Sequence, residues 1–455
     1  MPDAMKHPAL LLTASLLLAF TAAAQPATPT LPADARFQIP PTDDGLPGSG
    51  PLTRADWFQK VWTERRSQWA TRVAQDQQAL VFLGDSITQG WGDDFGGRFP
   101  GVKIANRGIS GDTTRGVLFR LQDDVLALHP AGVVLLIGIN DLGNHAEPET
   151  IVSNLKLILA ALKQADPHMP VILCQVFPST TRVSPADKIK KVNELYAAAV
   201  KGDPQITLLE TWTLFANAQG EAKLEEFPDL LHPNAVGYTK WTAALRPVLA
   251  TLGFIETTPD DFTPEPGFVS LFNGRDLTGW GFRPTSEADI QNAKRWQSSD
   301  PHAAAWPVVT QAVSFDGRTA SDDSRYVAKA GRLIVTTPPE YRKIQVIWTT
   351  REFSRNFILK LEFRATPNAD SGIFIRGPQL QCRDYLLAGP YTTLAKYRPQ
   401  DWNEIVITVR NNVAHCTCNG EVLEAALPVP ATGPIGLEGD RGQMEYRRLR
   451  LQELP

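Results

Sequence analysis

The sequence has little excess charge of either sign and few cysteines. Of its 455 residues, 45 are lysine or arginine and 49 are aspartate or glutamate, so the net charge is −4. Nucleic-acid-binding proteins usually carry a positive field, and this balance argues against nucleic acid as a partner. The four cysteines are too scattered for a disulfide framework. The chain is long enough for two or three domains.

Long apolar runs are also absent, with one exception at the start of the chain. A short basic segment precedes the apolar stretch Ala9–Phe20, and Ala22–Ala24 supplies the small residues that signal peptidase requires. The stretch is short for a membrane anchor. We therefore expect a signal peptide over residues 1–24, cleavage before Gln25, a secreted or periplasmic protein, and no membrane span in the mature chain.

The cysteines of the second half leave two possibilities open. Cys416 and Cys418 share one face of a predicted strand, so Cys382 could pair with either. His415, Cys416 and Cys418 could contribute to a metal site, but a fourth ligand is missing at any familiar spacing. We expect structural cysteines and no metal.

Apolar runs and amphipathic stretches alternate in the first half. Residues 25–51 are rich in proline and alanine and predict a linker. Over residues 52–252, nearly continuous hydrophobic strands separated by helices indicate a parallel sheet covered on both faces. We predict a flavodoxin-like three-layer α/β domain. Its predicted strands are residues 79–83, 102–106, 132–138, 170–177 and 206–209, and its predicted helices are residues 113–128, 149–164, 185–201 and 235–252.

The hydrophobic period changes to two after a second linker, residues 253–266. In Phe357–Arg364, large apolar residues occupy every second position, and further runs of this kind are separated by turns such as Asn419–Gly420. No helix-length pattern is evident beyond about residue 300. Residues 267–455 are predicted to form an all-β sandwich of the jelly-roll kind.

Three polar clusters follow predicted strands of the first domain. Ser86 follows the first strand, at the edge where doubly wound folds place their ligands. Gly111 lies in a glycine-containing turn where a backbone N–H could meet a developing oxyanion, and the Asn140 amide could do the same. Taken singly, each cluster is also explained by a plain turn or a helix cap.

A fourth cluster precedes the last predicted helix. Asp229 lies three residues before His232, so its carboxylate can accept the imidazole Nδ1–H and leave Nε2 free as a base. A surface histidine beside a helix start is the alternative.

Together the four clusters have the order and spacing of a known family. GDSIT around Ser86, NRGISGDTT around Gly111, GIND around Asn140 and DLLHPNAVGY around His232 resemble the four blocks of the SGNH (GDSL-type) hydrolases, over roughly residues 56–252. The run NRGISGDTTRGVLFRL is most similar to the catalytic subunits of platelet-activating-factor acetylhydrolase, which favour short acyl esters.

This resemblance implies an SGNH hydrolase domain without a cofactor. It implies that Ser86 is the nucleophile, that His232 is the general base and that Asp229 orients it. The implied oxyanion hole comprises the Ser86 and Gly111 backbone N–H groups and the Asn140 side chain.

The second half resembles the 3-keto-disaccharide hydrolase domain. Phe268–Trp280 (FVSLFNGRDLTGW), Asp370–Arg376 and Asp401–Glu404 carry this resemblance, over roughly residues 267–454. It implies a lectin/glucanase-like jelly roll linked to carbohydrate breakdown. The chain has Gly439–Arg441 where that family often has a histidine–glycine pair, which puts catalysis by this half in doubt.

Polar residues of the second half are candidates for contact with sugar. Gln379, Gln381, Arg383 and Tyr385 alternate onto one face of a predicted strand, with Tyr385 or a nearby tryptophan suited to stacking; a plain solvated sheet face is the alternative. A glycosidase pair could come from two of several carboxylates. These are Glu362, Asp370, Asp384, Glu404 and Asp440.

These patterns predict an exported serine ester hydrolase that removes short acyl groups, acetyl in particular, from carbohydrate. The sandwich would engage the glycan. Two alternatives stay open: a bifunctional enzyme whose second domain is a glycoside (keto-disaccharide) hydrolase, and a non-catalytic glycan-binding protein.

Overall fold

The computed structural model describes residues 37–181, 185–255, 257–299, 306–389 and 391–455. The predicted signal peptide lies outside these residues. No helix within them is both long and apolar enough to span a bilayer. The described helices are α1 (Asp56–Ala70), α2 (Ser86–Gln89), α3 (Thr114–Asp124), α4 (Ile139–Gly143), α5 (Pro148–Ala165), α6 (Ala186–Val200), α7 (Thr211–Phe215), α8 (Ala235–Leu252), α9 (Glu287–Ser299) and α10 (Tyr385–Ala388).

The strands fall into two groups that follow each other along the chain. The first group is β1 (Leu80–Gly84), β2 (Ile104–Gly108), β3 (Gly132–Leu136), β4 (Val171–Cys174) and β5 (Ile206–Leu209). The second group is β6 (Val269–Ser270), β7 (Trp280–Phe282), β8 (Val313–Ser314), β9 (Tyr326–Lys329), β10 (Arg332–Val335), β11 (Gln345–Thr349), β12 (Phe357–Ala365), β13 (Gly372–Ile375), β14 (Gln379–Gln381), β15 (Asn403–Arg410), β16 (Val413–Cys418), β17 (Glu421–Pro428), β18 (Ile435–Gly439) and β19 (Met444–Glu453).

The first group forms one parallel sheet in the order β2-β1-β3-β4-β5. This is the flavodoxin-like order, with a topological switch point between β1 and β3. Helices cover both faces, so β1 and β3 are buried along their whole length. The predicted three-layer α/β domain is confirmed. The third and fourth strands end earlier than predicted, at Leu136 and Cys174, because the chain turns there into the loops at the sheet edge.

The prediction of a linker over residues 25–51 is wrong for its described part. Phe37 and Ile39 are buried against the first domain. Arg115 donates to the Asp43 carboxylate at 2.6 Å and to the Gly50 carbonyl at 2.9 Å. Residues 37–51 are therefore a packed extension of the α/β domain.

One buried arginine joins the ends of β1 and β2. Arg120, on α3, donates from Nε to the Asp112 carboxylate at 2.8 Å. Its Nη2 donates to the Gly84 carbonyl at 3.2 Å and to the Arg107 carbonyl at 2.8 Å. The side chains of Arg120 and Asp112 are both fully buried. This pair therefore fixes the loops that follow both strands.

The second group of strands forms two antiparallel sheets packed face to face. One has the order β17-β16-β15-β12-β19-β10-β9, with β6 paired to β19, and the other has the order β14-β13-β18-β11-β7-β8. Buried and partly exposed residues alternate along β12, which places its apolar side chains in the core. The predicted sandwich is confirmed. Cys382, Cys416 and Cys418 lie in this core as free thiols, so neither possible disulfide is present.

The second linker is fastened to the sandwich. Asp260 pairs with Arg448 at 2.9 Å, and Glu265 pairs with Arg450 at 2.5 Å. The domains also touch directly, because Asn368 Nδ2 donates to the buried Glu210 carboxylate at 2.6 Å. The two domains are thus in contact rather than joined by a loose tether.

Replacing Arg120 by methionine should destabilise the first domain by about 3–5 kcal/mol. The substitution leaves the Asp112 carboxylate buried without its cation, which is the costly way to break an ion pair. Urea unfolding followed by far-ultraviolet circular dichroism measures the change, because most of the described helices belong to this domain. Lys163→Met, which removes an exposed pair with Asp203, is the matched control and should stay within about 0.5 kcal/mol. A similar loss of unfolding free energy in both variants would contradict the proposed role of the Arg120–Asp112 pair.

Candidate active site

Ser86 stands at a tight strand–turn–helix junction. β1 ends at Gly84, and α2 begins at Ser86 with Asp85 as its N-cap, accepting the Ile87 N–H at 2.9 Å. A Cβ on Gly84 would lie only 2.3 Å from the Leu136 carbonyl oxygen, so the turn requires glycine. The junction leaves the Ser86 side chain half-buried at the carboxyl edge of the sheet.

The structure brings His232 and Asp229 to this serine. The His232 Nε2 atom lies 2.9 Å from Ser86 Oγ, and His232 Nδ1 lies 2.7 Å from Asp229 Oδ2. The other oxygen, Asp229 Oδ1, accepts the backbone N–H groups of Leu231 and His232 at 3.0 and 2.7 Å. This hydrogen-bond chain suits proton transfer from the serine to the histidine.

The carboxylate of Asp229 is held in its charged form. Partial desolvation acts to raise its pKa, but hydrogen bonds from the His232 backbone and ring, and from the Leu231 N–H, outweigh it. The pKa of Asp229 is therefore lowered from its ordinary value.

The loop that carries the histidine is fixed on both sides. Leu230 has a φ of 63°, a left-handed conformation that is costly for leucine. Hydrogen bonds from the Leu230 N–H to the Phe227 carbonyl and from the Thr180 N–H to the Leu230 carbonyl maintain it. After His232, Asn234 caps α8 through its side chain, which accepts from the second and third N–H groups beyond it.

Three candidate donors lie in the segments that follow β1, β2 and β3, at the carboxyl edge of the sheet where Ser86 also lies. Within the described residues, neither the Ser86 N–H nor the Gly111 N–H donates a hydrogen bond to the protein. The Asn140 side chain donates one hydrogen to the Asp112 carbonyl at 3.0 Å, which leaves its second amide hydrogen available. Gly111 has a φ of +83°, and its carbonyl accepts the Thr53 hydroxyl at 3.1 Å. These groups can serve as an oxyanion hole.

Each of the three donor residues has a buried aspartate as its neighbour in the sequence. Burial raises the pKa of Asp85 and of Asp141 to about 7, and that of Asp112 to about 6 despite Arg120. Asp141 accepts both the backbone N–H and the hydroxyl of Thr114, which holds the start of α3. The sequence reasoning did not single out Asp141 for this positioning role.

The site is open to solvent. The side chains of His232 and Asp229 are 41% and 57% exposed. Within the described ranges, no three histidine, cysteine, aspartate or glutamate residues are grouped so that they could hold a metal ion. The chemistry that the arrangement supports is nucleophilic attack by an activated serine.

The structure separates the four sugar-contact residues predicted in the sandwich. Gln379 and Gln381 share a face of β14, as expected. The strand ends there, however, and Arg383 lies beyond it, paired with Asp370 at 3.1 Å. Tyr385 is fully buried in α10 and its hydroxyl donates to the Gln381 carbonyl. The prediction that Tyr385 stacks on sugar is therefore wrong, because the ring belongs to the core.

An aromatic cleft lies on the six-stranded sheet. It has a volume of about 380 Å³, and its lining includes Trp348, Phe374, Trp306 and Glu438. The Trp348 and Phe374 rings are 5.3 Å apart. Burial, and then the charges of Asp440 and Asp370, raise the pKa of Glu438 to about 8. The sequence reasoning missed Glu438 because β18 is buried at every position and shows no alternation.

All five candidate carboxylates of the sandwich have arginine or hydrogen-bond partners, including Asp370 with Arg383 and Asp440 with Arg342. Glu362 pairs with two arginines, and the buried Asp384 accepts hydrogen bonds from Tyr397 and Gln400. Glu404 lies near Arg450 at 3.5 Å. The charges of Asp440 and Asp370 also raise the pKa of Glu438.

Comparison with known proteins gives two family matches. Residues 82–240 match the GDSL-like Lipase/Acylhydrolase family, and residues 267–452 match the 3-keto-alpha-glucoside-1,2-lyase-like domain.

Relatives cover the first domain. Platelet-activating factor acetylhydrolase IB subunit alpha1 of Bos taurus is 29% identical over 199 residues, 42% of this chain and 83% of that protein. The alpha2 subunit of Homo sapiens is 26% identical over 208 residues, 44% of this chain and 87% of that protein. A GDSL-like lipase structure from Bacteroides thetaiotaomicron is 24% identical, with a TM-score of 0.36, and covers 41% of this chain and 97% of its own. Residues 82–240 thus form a GDSL-like lipase/acylhydrolase domain that is similar to the platelet-activating factor acetylhydrolase subunits, which supports an esterase enzyme, and residues 267–452 form a 3-keto-alpha-glucoside-1,2-lyase-like domain.

Proposed function

We propose that this protein is an exported serine ester hydrolase that removes short acyl groups, acetyl in particular, from carbohydrate. The observation that carries the proposal is the hydrogen-bond chain from Ser86 through His232 to Asp229, with distances of 2.9 and 2.7 Å. Export rests on the apolar N-terminal segment of the sequence alone.

The reaction begins with proton transfer from Ser86 to His232. As the serine Oγ attacks the ester carbonyl carbon, His232 Nε2 takes the hydroxyl proton, and Asp229 stabilises the resulting imidazolium. The carbonyl oxygen becomes an oxyanion in the tetrahedral intermediate. His232 then returns the proton to the leaving alcohol, which departs and leaves an acyl-serine. Water, deprotonated by the same histidine, releases the acid and restores Ser86.

The oxyanion is stabilised by groups that are already in place. The Ser86 and Gly111 N–H groups are not engaged elsewhere within the described residues, and Asn140 is held by its bond to the Asp112 carbonyl. Such preorganised donors need no rearrangement as charge develops, and each contributes about 2.7–4 kcal/mol.

Two features support a short acyl group on a carbohydrate. The relatives of the first domain are named as acetylhydrolases, and the second domain matches a family named for a keto-glucoside. The aromatic cleft of the sandwich, with Trp348 and Phe374 beside polar groups, has the composition of a sugar-binding site. We propose that this cleft, rather than Tyr385, engages the glycan.

A second activity of the sandwich is favoured by one observation. Glu438 borders the cleft and, with its pKa near 8, carries a proton at neutral pH, the state that a general acid needs. Sugar release that survives loss of Ser86 would support this bifunctional alternative.

Ser86→Ala should reduce acetate release from acetylated xylan and from a small acetate ester to background, because the acyl-serine cannot form. The fold should be unchanged, since the side chain is half-buried at a loop edge. Acetate release and covalent labelling by a serine-directed phosphonate measure the effect. Ser153→Ala, on the exposed face of α5, is the control and should keep full activity and labelling. Retained activity in the Ser86 variant would refute the assignment.

Asp229→Asn should lower kcat by roughly 10²–10³-fold with little change in KM. The amide favours the wrong histidine tautomer, which lowers kcat by about 10⁴-fold where the carboxylate is buried. Because Asp229 and His232 are exposed here, we expect a smaller loss. Steady-state kinetics on a soluble acetate ester measure both constants. Asp166→Asn, another exposed aspartate that accepts a turn N–H, should behave as wild type. An unchanged kcat would show that another group orients His232.

Glu438→Gln should change how stability depends on pH. The folded protein holds this proton up to about pH 8, whereas the unfolded chain releases it near 4.3. Folding therefore takes up a proton between these values, and this group makes the free energy of unfolding fall as pH rises through that window.

The difference in unfolding free energy between wild type and Glu438→Gln should change by more than about 1 kcal/mol between about pH 5 and pH 8, since one pKa unit corresponds to about 1.4 kcal/mol. Urea unfolding at both pH values measures it. Glu404→Gln, an exposed glutamate, is the control. Parallel pH profiles for wild type and Glu438→Gln would show that Glu438 is ionised.

A further inference from the structure

A tryptophan ring lies against the backbone of the proposed oxyanion hole. Trp57 is in the first turn of α1, and 55% of its surface is exposed. A Cβ on Gly111 would lie 2.5 Å from Trp57 Cη2 and 3.3 Å from Cζ3, so the six-membered part of the indole covers the Gly111 Cα. The Trp57 ring thus packs directly against Gly111 while more than half of its surface is exposed.

The position of this ring is fixed by its neighbours. The next residue, Phe58, is fully buried, and the two rings meet edge to face with centroids 5.7 Å apart. Phe58 and Trp62 anchor α1 in a small core that includes Ile109, two residues before Gly111. The ring and the oxyanion loop are thus parts of one rigid unit.

Exposure alone would not distinguish Trp57, because single exposed apolar residues are common on protein surfaces. Leu157, 48% exposed on α5, is one such residue. What sets Trp57 apart is a large, rigid, amphipathic surface that packs against Gly111, a proposed oxyanion donor. Tryptophan supplies such a surface at a low cost in conformational entropy.

We propose that Trp57 is the stacking platform for the sugar ring that carries the scissile ester, a specificity residue of the esterase site. The inference rests on the proposed function. A short acyl group fills only the space next to Ser86, whereas the sugar extends to the rim, where the apolar face of a pyranose can cover the exposed indole. The sandwich cleft around Trp348 is a separate site for more distant parts of the glycan.

The test compares two substrates in Trp57→Ala, Trp57→Phe and the control Leu157→Ala. Ethyl acetate has no ring to stack, and an acetylated xylo-oligosaccharide has one. Trp57→Ala should raise KM for the oligosaccharide roughly ten-fold, leave its kcat nearly unchanged and leave kcat/KM for ethyl acetate within about two-fold. Trp57→Phe should recover most of the affinity, and Leu157→Ala should match wild type.

Two kinetic outcomes would overturn the proposal. Equal losses of kcat/KM on both substrates in Trp57→Ala would show that the ring only supports the Gly111 loop. A loss confined to esters of longer acids, such as ethyl butyrate, would place the acyl chain on the ring instead of the sugar.

A binding measurement separates this inference from the proposed reaction. In Ser86→Ala protein, calorimetric titration with the acetylated oligosaccharide should show weaker binding when Trp57→Ala is added, and adding the control Leu157→Ala instead should leave binding unchanged. Unchanged binding in the Ser86→Ala, Trp57→Ala protein would refute the role of Trp57 even if the esterase is active. Absence of ester hydrolysis by wild type, with binding that depends on Trp57, would refute only the proposed reaction.

Discussion

The Arg120 guanidinium is the interaction on which the geometry of the first domain depends. It spans the carboxyl ends of β1 and β2 and neutralises Asp112, the residue after Gly111. Burying a guanidinium and a carboxylate costs several kcal/mol per ion, and the hydrogen bonds to two strand-end carbonyls offset part of this cost. What the protein gains is a fixed relation between the loop of Ser86, the proposed nucleophile, and the loop of Gly111, a proposed oxyanion donor.

Several features were predictable because they depend on local sequence. Ser86, Gly111 and Asn140 each follow a predicted strand, and the carboxyl ends of neighbouring parallel strands meet at one edge. His232 could be assigned with Asp229 because it lies only three positions further along the chain. The packing of Trp57 against Gly111 could not be predicted in this way, because it joins α1 to a loop more than fifty residues later.

The errors in the sandwich have a common physical cause. Alternate residues share a face only within a strand, and β14 ends at Gln381. Beyond it, the buried Asp384 accepts hydrogen bonds from the Asn368 N–H and the Tyr397 hydroxyl, which draws the chain into the core and takes Tyr385 with it. Glu438 was not predicted because β18 is buried on both faces, so its sequence shows no alternation that would distinguish a polar residue. The composition of the two predicted linkers does not reveal their arginine partners, because Arg115 lies on α3 and Arg448 and Arg450 lie on β19, far from the linkers in sequence.

The exposure of the Asp229 and His232 side chains determines what kind of help the carboxylate can give. Charges surrounded by water interact through a high dielectric constant, so the attraction between Asp229 and the imidazolium is weak at 2.7 Å compared with the same pair in a dry interior. The Asp229 carboxylate accepts three hydrogen bonds, two of them from backbone N–H groups of its own loop. These bonds are directional and retain their geometry in water. In the proposed mechanism the Asp229 carboxylate therefore serves chiefly to fix the orientation of the imidazole ring, and we expect its contribution to be almost insensitive to ionic strength.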